Sequence, residues 1–306
     1  MTTVRGTTAT ADRARDRLRR RVARHGVWWL RAFVAWVAWG ATAGAPWWAF
    51  LPLAGSLLAG SLVRPRWDRD REPVVVAAPV RGTWVALNSP GSAVPSHGVR
   101  AYGQTYAIDI LVPADLEPVD APHATASIGW LAGARPQTFP AFGKPVYAMA
   151  DGVVVAARTR LRDHRARNTW LGLAYLLVEG FVRELGGVGF VVGNHLVVDH
   201  GDGVWALYAH LRRGGTRVRV GERVTTGQVL GEVGNSGNTS EPHLHAQLMD
   251  RRAPTAAQGV PLRWTGVVVR DDVVAPRYGR ARVGDGQPGL PANGQVFEAT
   301  LAAPTA

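Results

Sequence analysis

His243 and His245 stand one residue apart in the stretch SEPHLHAQL, residues 240–248, in a chain with nine histidines among 306 residues. In a β-strand, side chains at i and i+2 share a face, so these two imidazoles project side by side while Leu244 points away. A second apolar stretch, WALYAHL, ends with His210 in the same manner. A third, YAIDI, sets Asp109 between two isoleucines, a position that structure alone explains poorly. Neutral imidazole nitrogen and carboxylate oxygen are zinc ligands, and a catalytic zinc keeps three protein ligands and leaves a fourth position to water. The metal lowers the pKa of that water to about 7, which makes a nucleophile at neutral pH. A histidine that does not bind metal can act as general base or stabilise an oxyanion. These residue types point to metal-assisted hydrolysis. The plain alternative for any one of them is a partly exposed histidine on a strand edge.

The elements around these residues read as strands. From about Pro73, short β-branched runs alternate with Gly, Asn and Asp turns, as in PVYAMADGVVVAAR and TRVRVGERVTTGQVLGEVGNSGN. Such regular spacing predicts a mainly β fold, an antiparallel sandwich or sheet over residues 73–271. HLVVDHGDGVWALYAHL predicts a hairpin turning at Gly201-Asp202-Gly203. One segment, NTWLGLAYLLVEGFVREL, breaks the pattern and predicts a helical insert within residues 160–187. It could pack on the core, form a lid over the site or touch a membrane surface. Residues 272–306 form a Gly- and Pro-rich C-terminal extension that reads as poorly ordered.

Ahead of the β region lies a different texture. Residues 1–26 hold eight arginines against Asp12 and Asp16, an excess of +6 that is half of the chain's net +12. The next 37 residues, Val27 to Val63, carry Arg31 as their single charge and six of the tryptophans. About 20 apolar residues span a bilayer, and tryptophan favours its interfaces. Residues 27–64 therefore read as a transmembrane anchor of two short helices broken at GATAGAP, with residues 1–26 as a basic flanking tail. A cleaved signal peptide fits less well, because the run is too long. The basic tail belongs in the cytoplasm, and a hairpin would return the rest there too. A re-entrant second half or one tilted span would leave the main domain outside.

The chain has no cysteine, which excludes disulfides, thiolate zinc sites and thiol nucleophiles. All its basic side chains but Lys144 are arginine. Such a charge suits nucleic acid, anionic lipid or an anionic polymer such as a cell wall. The arginine excess sits beside the apolar run and no basic–aromatic stripe appears in the β region, which argues against nucleic acid.

Taken together, the segments GNHLVVDHGDGVWALYAHL, VRVGERVTTGQVLGEVGNSGNTSEPHLHAQL and PVYAMADGVVVAA resemble the lysostaphin/LytM-type zinc metallopeptidases, the M23 family of cell-wall endopeptidases. The resemblance covers about half of the chain. It implies that His245 binds Zn2+ together with Asp109, and that His210 and His243 are catalytic. It also implies peptidoglycan peptides as substrate and a catalytic domain on the extracytoplasmic side of the cell membrane. The family's first-ligand motif is H-x-x-x-D, and here Thr105 stands four before Asp109. His97, in a Gly/Pro/Ser-rich loop, is the favoured replacement ligand, ahead of His195 and His123. His200 falls in the H-G-x-G turn, where a structural role is expected. With two ligands only, the domain would be a degenerate module that binds cell-wall peptide or regulates another hydrolase. A histidine phosphocarrier is a further reading, against which the H-x-H and Asp109 combination argues.

Overall fold

The computed structural model describes residues 4–44, 46–52, 54–55, 58, 63–113, 133–167, 169–274 and 286–300. Its centre is a ten-stranded sheet. In spatial order it runs β13 (Val267–Val274), β14 (Gln295–Ala299), β2 (Gly82–Leu87), β3 (Ile108–Leu111), β10 (Leu244–Met249), β7 (Val204–Leu211), β6 (Asn194–Gly201), β5 (Gly152–Arg158) and β8 (Arg223–Val224). A tenth strand, β11 (Gly259–Val260), pairs with β10. Every pairing in this sheet is antiparallel. Two small sheets accompany it: β1 (Val74–Ala77) parallel to β12 (Leu262–Thr265), and β4 (Pro145–Tyr147) antiparallel to β9 (Val229–Glu232).

Period-2 alternation divides the sheet into a core face and a site face. Leu244, Ala246 and Leu248 of β10 join Ile108 and Ile110 of β3 and Ala206 and Tyr208 of β7 in the largest buried cluster. Val76, Trp264, Val146 and Leu230 bring the two small sheets onto that same cluster. The intervening residues, Asp109, His245 and Gln247, therefore lie on the other face. The expected hairpin is present as β6–β7.

His210 does not reach the site face by alternation. Leu196 pairs with Tyr208 and Asn194 with Leu211, so Ala209 and His210 together oppose His195. This is a β-bulge, and His210 sits in it at φ +61°. A non-glycine residue in that conformation costs on the order of 1–3 kcal/mol. The bulge reverses the alternation, which returns Leu211 to the core cluster and turns the His210 ring away from it.

The helices used below are α1 (Val4–Arg24), α2 (Gly26–Ala43), α3 (Trp170–Gly186) and α4 (Val188–Val191). The predicted insert is α3, whose N-cap Thr169 accepts a bond from the Gly172 amide. The predicted transmembrane helices are not supported: no described helix is long and apolar enough to cross a membrane. α2 carries Arg31 in its second turn and ends after 18 residues, where Gly44 adopts φ +62° and caps the Gly40 carbonyl. Residues 45, 53, 56–57 and 59–62 of the predicted anchor lie outside the described residues. The basic tail is largely helix α1, tied down by Arg20, which donates to the Ala256 carbonyl at 2.9 Å and pairs with Asp250 at 2.8 Å. The tail expected to be poorly ordered after residue 272 instead supplies β14, paired with β13 and β2.

Candidate metal centre

Asp109 and His245 are direct partners in the β3–β10 register, which sets their side chains against each other. His245 Nδ1 lies 2.9 Å from Asp109 Oδ1. His97 comes from the loop before β3. The Ser96 amide donates to the Thr105 carbonyl and the Ser96 hydroxyl to the Ala107 carbonyl, and these two bonds fold the loop back. They place His97 Nε2 3.2 Å from Asp109 Oδ2. One ligand atom each from His97, Asp109 and His245 lies within 4.8 Å of the others. Asn88 Nδ2 donates to Asp109 Oδ2 at 2.8 Å and orients the carboxylate.

Whether a cation fits here follows from the His245 ring. Gln247 Nε2 donates to the Tyr102 carbonyl at 2.8 Å, which turns Gln247 Oε1 towards His245 Nε2, also at 2.8 Å. An amide oxygen accepts only, so Nε2 carries the proton. Nδ1 of the neutral ring then aims a lone pair at a carboxylate oxygen. Two acceptors at 2.9 Å repel unless a proton or a metal ion lies between them. Burial works to lower the His245 pKa, yet the Asp109 carboxylate outweighs it and raises the pKa. Burial likewise works to raise the Asp109 pKa, but His97 and His243 and the bonds from His245 and His97 hold it well below the usual carboxylate range. An anionic carboxylate flanked by two imidazole nitrogens is a donor set that suits zinc.

The other two histidines stand beside this trio. The His210 and His243 rings are 4.8 Å apart, and the His210 ring is 5.8 Å from that of His245. His210 Nδ1 donates to the Ser236 carbonyl at 2.8 Å, and His243 Nδ1 to the Glu241 carbonyl at 2.7 Å. Each bond leaves Nε2 as the unprotonated nitrogen of the neutral ring, and His243 Nε2 lies 3.6 Å from Asp109 Oδ1. Burial, reinforced by His243 and His245, pushes the His210 pKa well below the ordinary imidazole range, so this ring stays neutral.

The five residues line a cleft of about 510 Å³ that α3 walls through Leu176 and Glu184. Gly180, one turn after Leu176, lies against Asn238, where a Cβ would meet Nδ2 at 3.2 Å. Glu184 also accepts a hydrogen bond from the Tyr102 hydroxyl. A chain of contacts thus runs from the insert through Tyr102 and Gln247 to His245. Thr105 is remote from this chemistry: its hydroxyl accepts from Gln258 Nε2. His195 and His200 bond the Gly193 and Asp151 carbonyls and line no part of the cleft. His123 lies outside the described residues. Sequence reasoning missed Asn88 and Gln247. The two-residue step from His245 to Gln247 on one strand face could have found the second.

A buried carboxylate ringed by four imidazoles on one face of an antiparallel sheet defines the class, a β domain with a candidate metal centre. Residues 176–257 match Peptidase family M23. The matched segment contains His210, His243 and His245, whereas His97 and Asp109 join them through the fold. Among curated relatives, the peptidoglycan DD-endopeptidase ShyA of Vibrio cholerae is 31% identical over 115 residues, 38% of this chain and 20% of that protein. The cell division protein DipM of Caulobacter vibrioides is 43% identical over 63 residues, 21% of this chain and 10% of that one. The glycyl-glycine endopeptidase ALE-1 of Staphylococcus capitis is 38% identical over 74 residues, 23% of this chain and 19% of that one. The chain thus spans a fifth or less of the length of these relatives.

Proposed function

We propose that this chain is a zinc-dependent endopeptidase that cleaves peptide cross-links of peptidoglycan. The observation that carries the proposal is the shared register of Asp109 and His245, with His97 closing the trio and His210 and His243 beside it. His97, Asp109 and His245 would hold the ion. When bound, zinc polarises the peptide carbonyl and lowers the pKa of water. His210 and His243 each offer Nε2 to the cleft face. One accepts a proton from the attacking water and returns it to the leaving amine. The other accepts the water's second O–H at its Nε2 and so orients the oxygen for attack. Gln247 and Asn88 hold His245 and Asp109 in place. The substrate puts this domain on the extracytoplasmic side of the cell membrane.

Incubation of the purified full chain with cross-linked cell-wall peptides tests the proposal: zinc-loaded protein cuts them, and chelated protein does not. Full activity in His245→Ala refutes it. A second reading, a degenerate binding or regulatory module, is favoured by Thr105 at the family's first-ligand position. It predicts a folded domain that takes up no metal when zinc is supplied.

A further inference from the structure

Helix α3 is inside out. Its polar side chains, Glu179, Arg183 and Glu184, face the protein: Glu179 pairs with Arg183 at 2.7 Å and Arg167 at 3.3 Å, and Glu184 binds Tyr102. Apart from Leu176, which walls the cleft, and the half-buried Leu185, its large apolar side chains face solvent. Leu177 is 78% exposed and Val178 64%, with Leu171, Tyr175, Phe181 and Val182 also exposed. An amphipathic helix on a water-facing surface has the opposite arrangement. Contiguous apolar surface of this kind marks an interaction site.

The surroundings select the partner. α2 meets the C-terminal end of α3, where Arg31 Nε donates to the Leu185 carbonyl and Leu30 and Val27 border the same cavity as Phe181. α2 also exposes Trp28, Trp29 and Trp39. Immediately before it, the last turns of α1 present Arg17, Arg21 and Arg24 to solvent. Apolar side chains, exposed tryptophans and adjacent arginines are the three ingredients of binding to an anionic lipid surface. Neither helix is long and apolar enough to cross a bilayer, which suits a contact in the plane of one leaflet.

We propose that the outward face of α3, together with the exposed tryptophans of α2, docks in the interface of an anionic lipid bilayer. Leu171, Leu177, Val178 and Val182 enter the headgroup–acyl boundary, and the α1 arginines meet the phosphates. Because the inner side of α3 walls the metal cleft, docking holds that cleft within about one helix diameter, ~10 Å, of the lipid surface.

The absence of cysteine gives a direct test. The full chain is prepared as Leu177→Cys and, as a control on the distant 60%-exposed turn, as Val220→Cys, each labelled with an environment-sensitive fluorophore. Vesicles of phosphatidylcholine with phosphatidylglycerol should shift the emission at position 177 to the blue and raise it at least twofold. Pure phosphatidylcholine should do so more weakly, and position 220 should not respond. In co-sedimentation, unlabelled Leu177→Asp/Val178→Asp should bind the anionic vesicles at least tenfold more weakly with an unchanged melting temperature. No response at position 177, or an equal response at both positions, overturns the proposal. So does a blue shift at position 177 that grows with protein concentration without vesicles, which would identify a second copy of the chain as the occupant.

Discussion

Gln247 links the His245 ring to the Tyr102 backbone, and its replacement should change metal affinity and stability together. Its side chain is 1% exposed and makes two bonds of 2.8 Å, one to His245 and one to the Tyr102 carbonyl. Gln247→Leu keeps the approximate volume and removes both. It leaves a buried N–H and a buried carbonyl without partners, at about 1–3 kcal/mol each, so unfolding free energy should fall by roughly 2–6 kcal/mol. Freed from Oε1, the His245 ring loses its fixed tautomer and orientation. Loss of such a supporting partner costs about 10–100-fold in metal affinity, equivalent to about 1.4–2.7 kcal/mol. Gln247→Glu separates the two effects: it keeps an acceptor for His245 Nε2–H but sets a carboxylate against the Tyr102 carbonyl. It should bind zinc about as well as the wild type while remaining less stable. Competition with a fluorescent chelator reads the affinity, and urea unfolding of the chelated protein reads the stability. Zinc binding by Gln247→Leu within twofold of the wild type would refute the assignment of Gln247 as the residue that positions His245.

His210→Ala and His243→Ala should each retain one zinc by elemental analysis while losing about 10²–10⁴-fold in peptide cleavage, as expected for groups that move protons. Urea unfolding of the chelated protein should show stability falling with acidification. Burial lowers the pKa of His195, His200 and His210 in the folded chain, so the unfolded chain binds more protons; their contribution is full above about pH 6.5 and is lost as pH drops towards their folded values. Gly193→Ala should destabilise by about 2 kcal/mol or more, because φ is +70° there and a Cβ would come within 2.3 Å of the Ser236 carbonyl oxygen that holds His210. Its activity should fall further than its stability at assay temperature explains.

Much of the site was legible because strand periodicity is a short-range property. His243, His245 and Asp109 announce themselves as polar residues in apolar β runs, and the sheet brings them together. His210 was placed on that face by a simple alternation, and the structure reaches the same face by a bulge that alternation does not contain. A bulge depends on the partner strand, which local sequence does not specify. The folded-back loop that delivers His97 rests on two backbone acceptors, at Thr105 and Ala107, and carries no residue pattern of its own. The partnership of Asn88 with Asp109 depends on the pairing of β2 with β3. The C-terminal strand β14 was hidden by the Gly/Pro-rich segment ahead of it, although GQVFEAT is itself β-rich. The predicted anchor finds no support among the described residues for a different reason. Counting apolar residues ignores where a helix stops, and α2 stops at Gly44 with an arginine already inside it.

The proposed chemistry rests on one divalent ion shared by residues from a loop, β3 and β10. Crystals of the zinc-loaded chain, measured on both sides of the zinc absorption edge, test it most directly. A single anomalous peak should appear, enclosed by Asp109, His245 Nδ1 and His97 Nε2, with the His210 and His243 rings outside bonding distance. No peak at Asp109, or one ligated without His97, would contradict it.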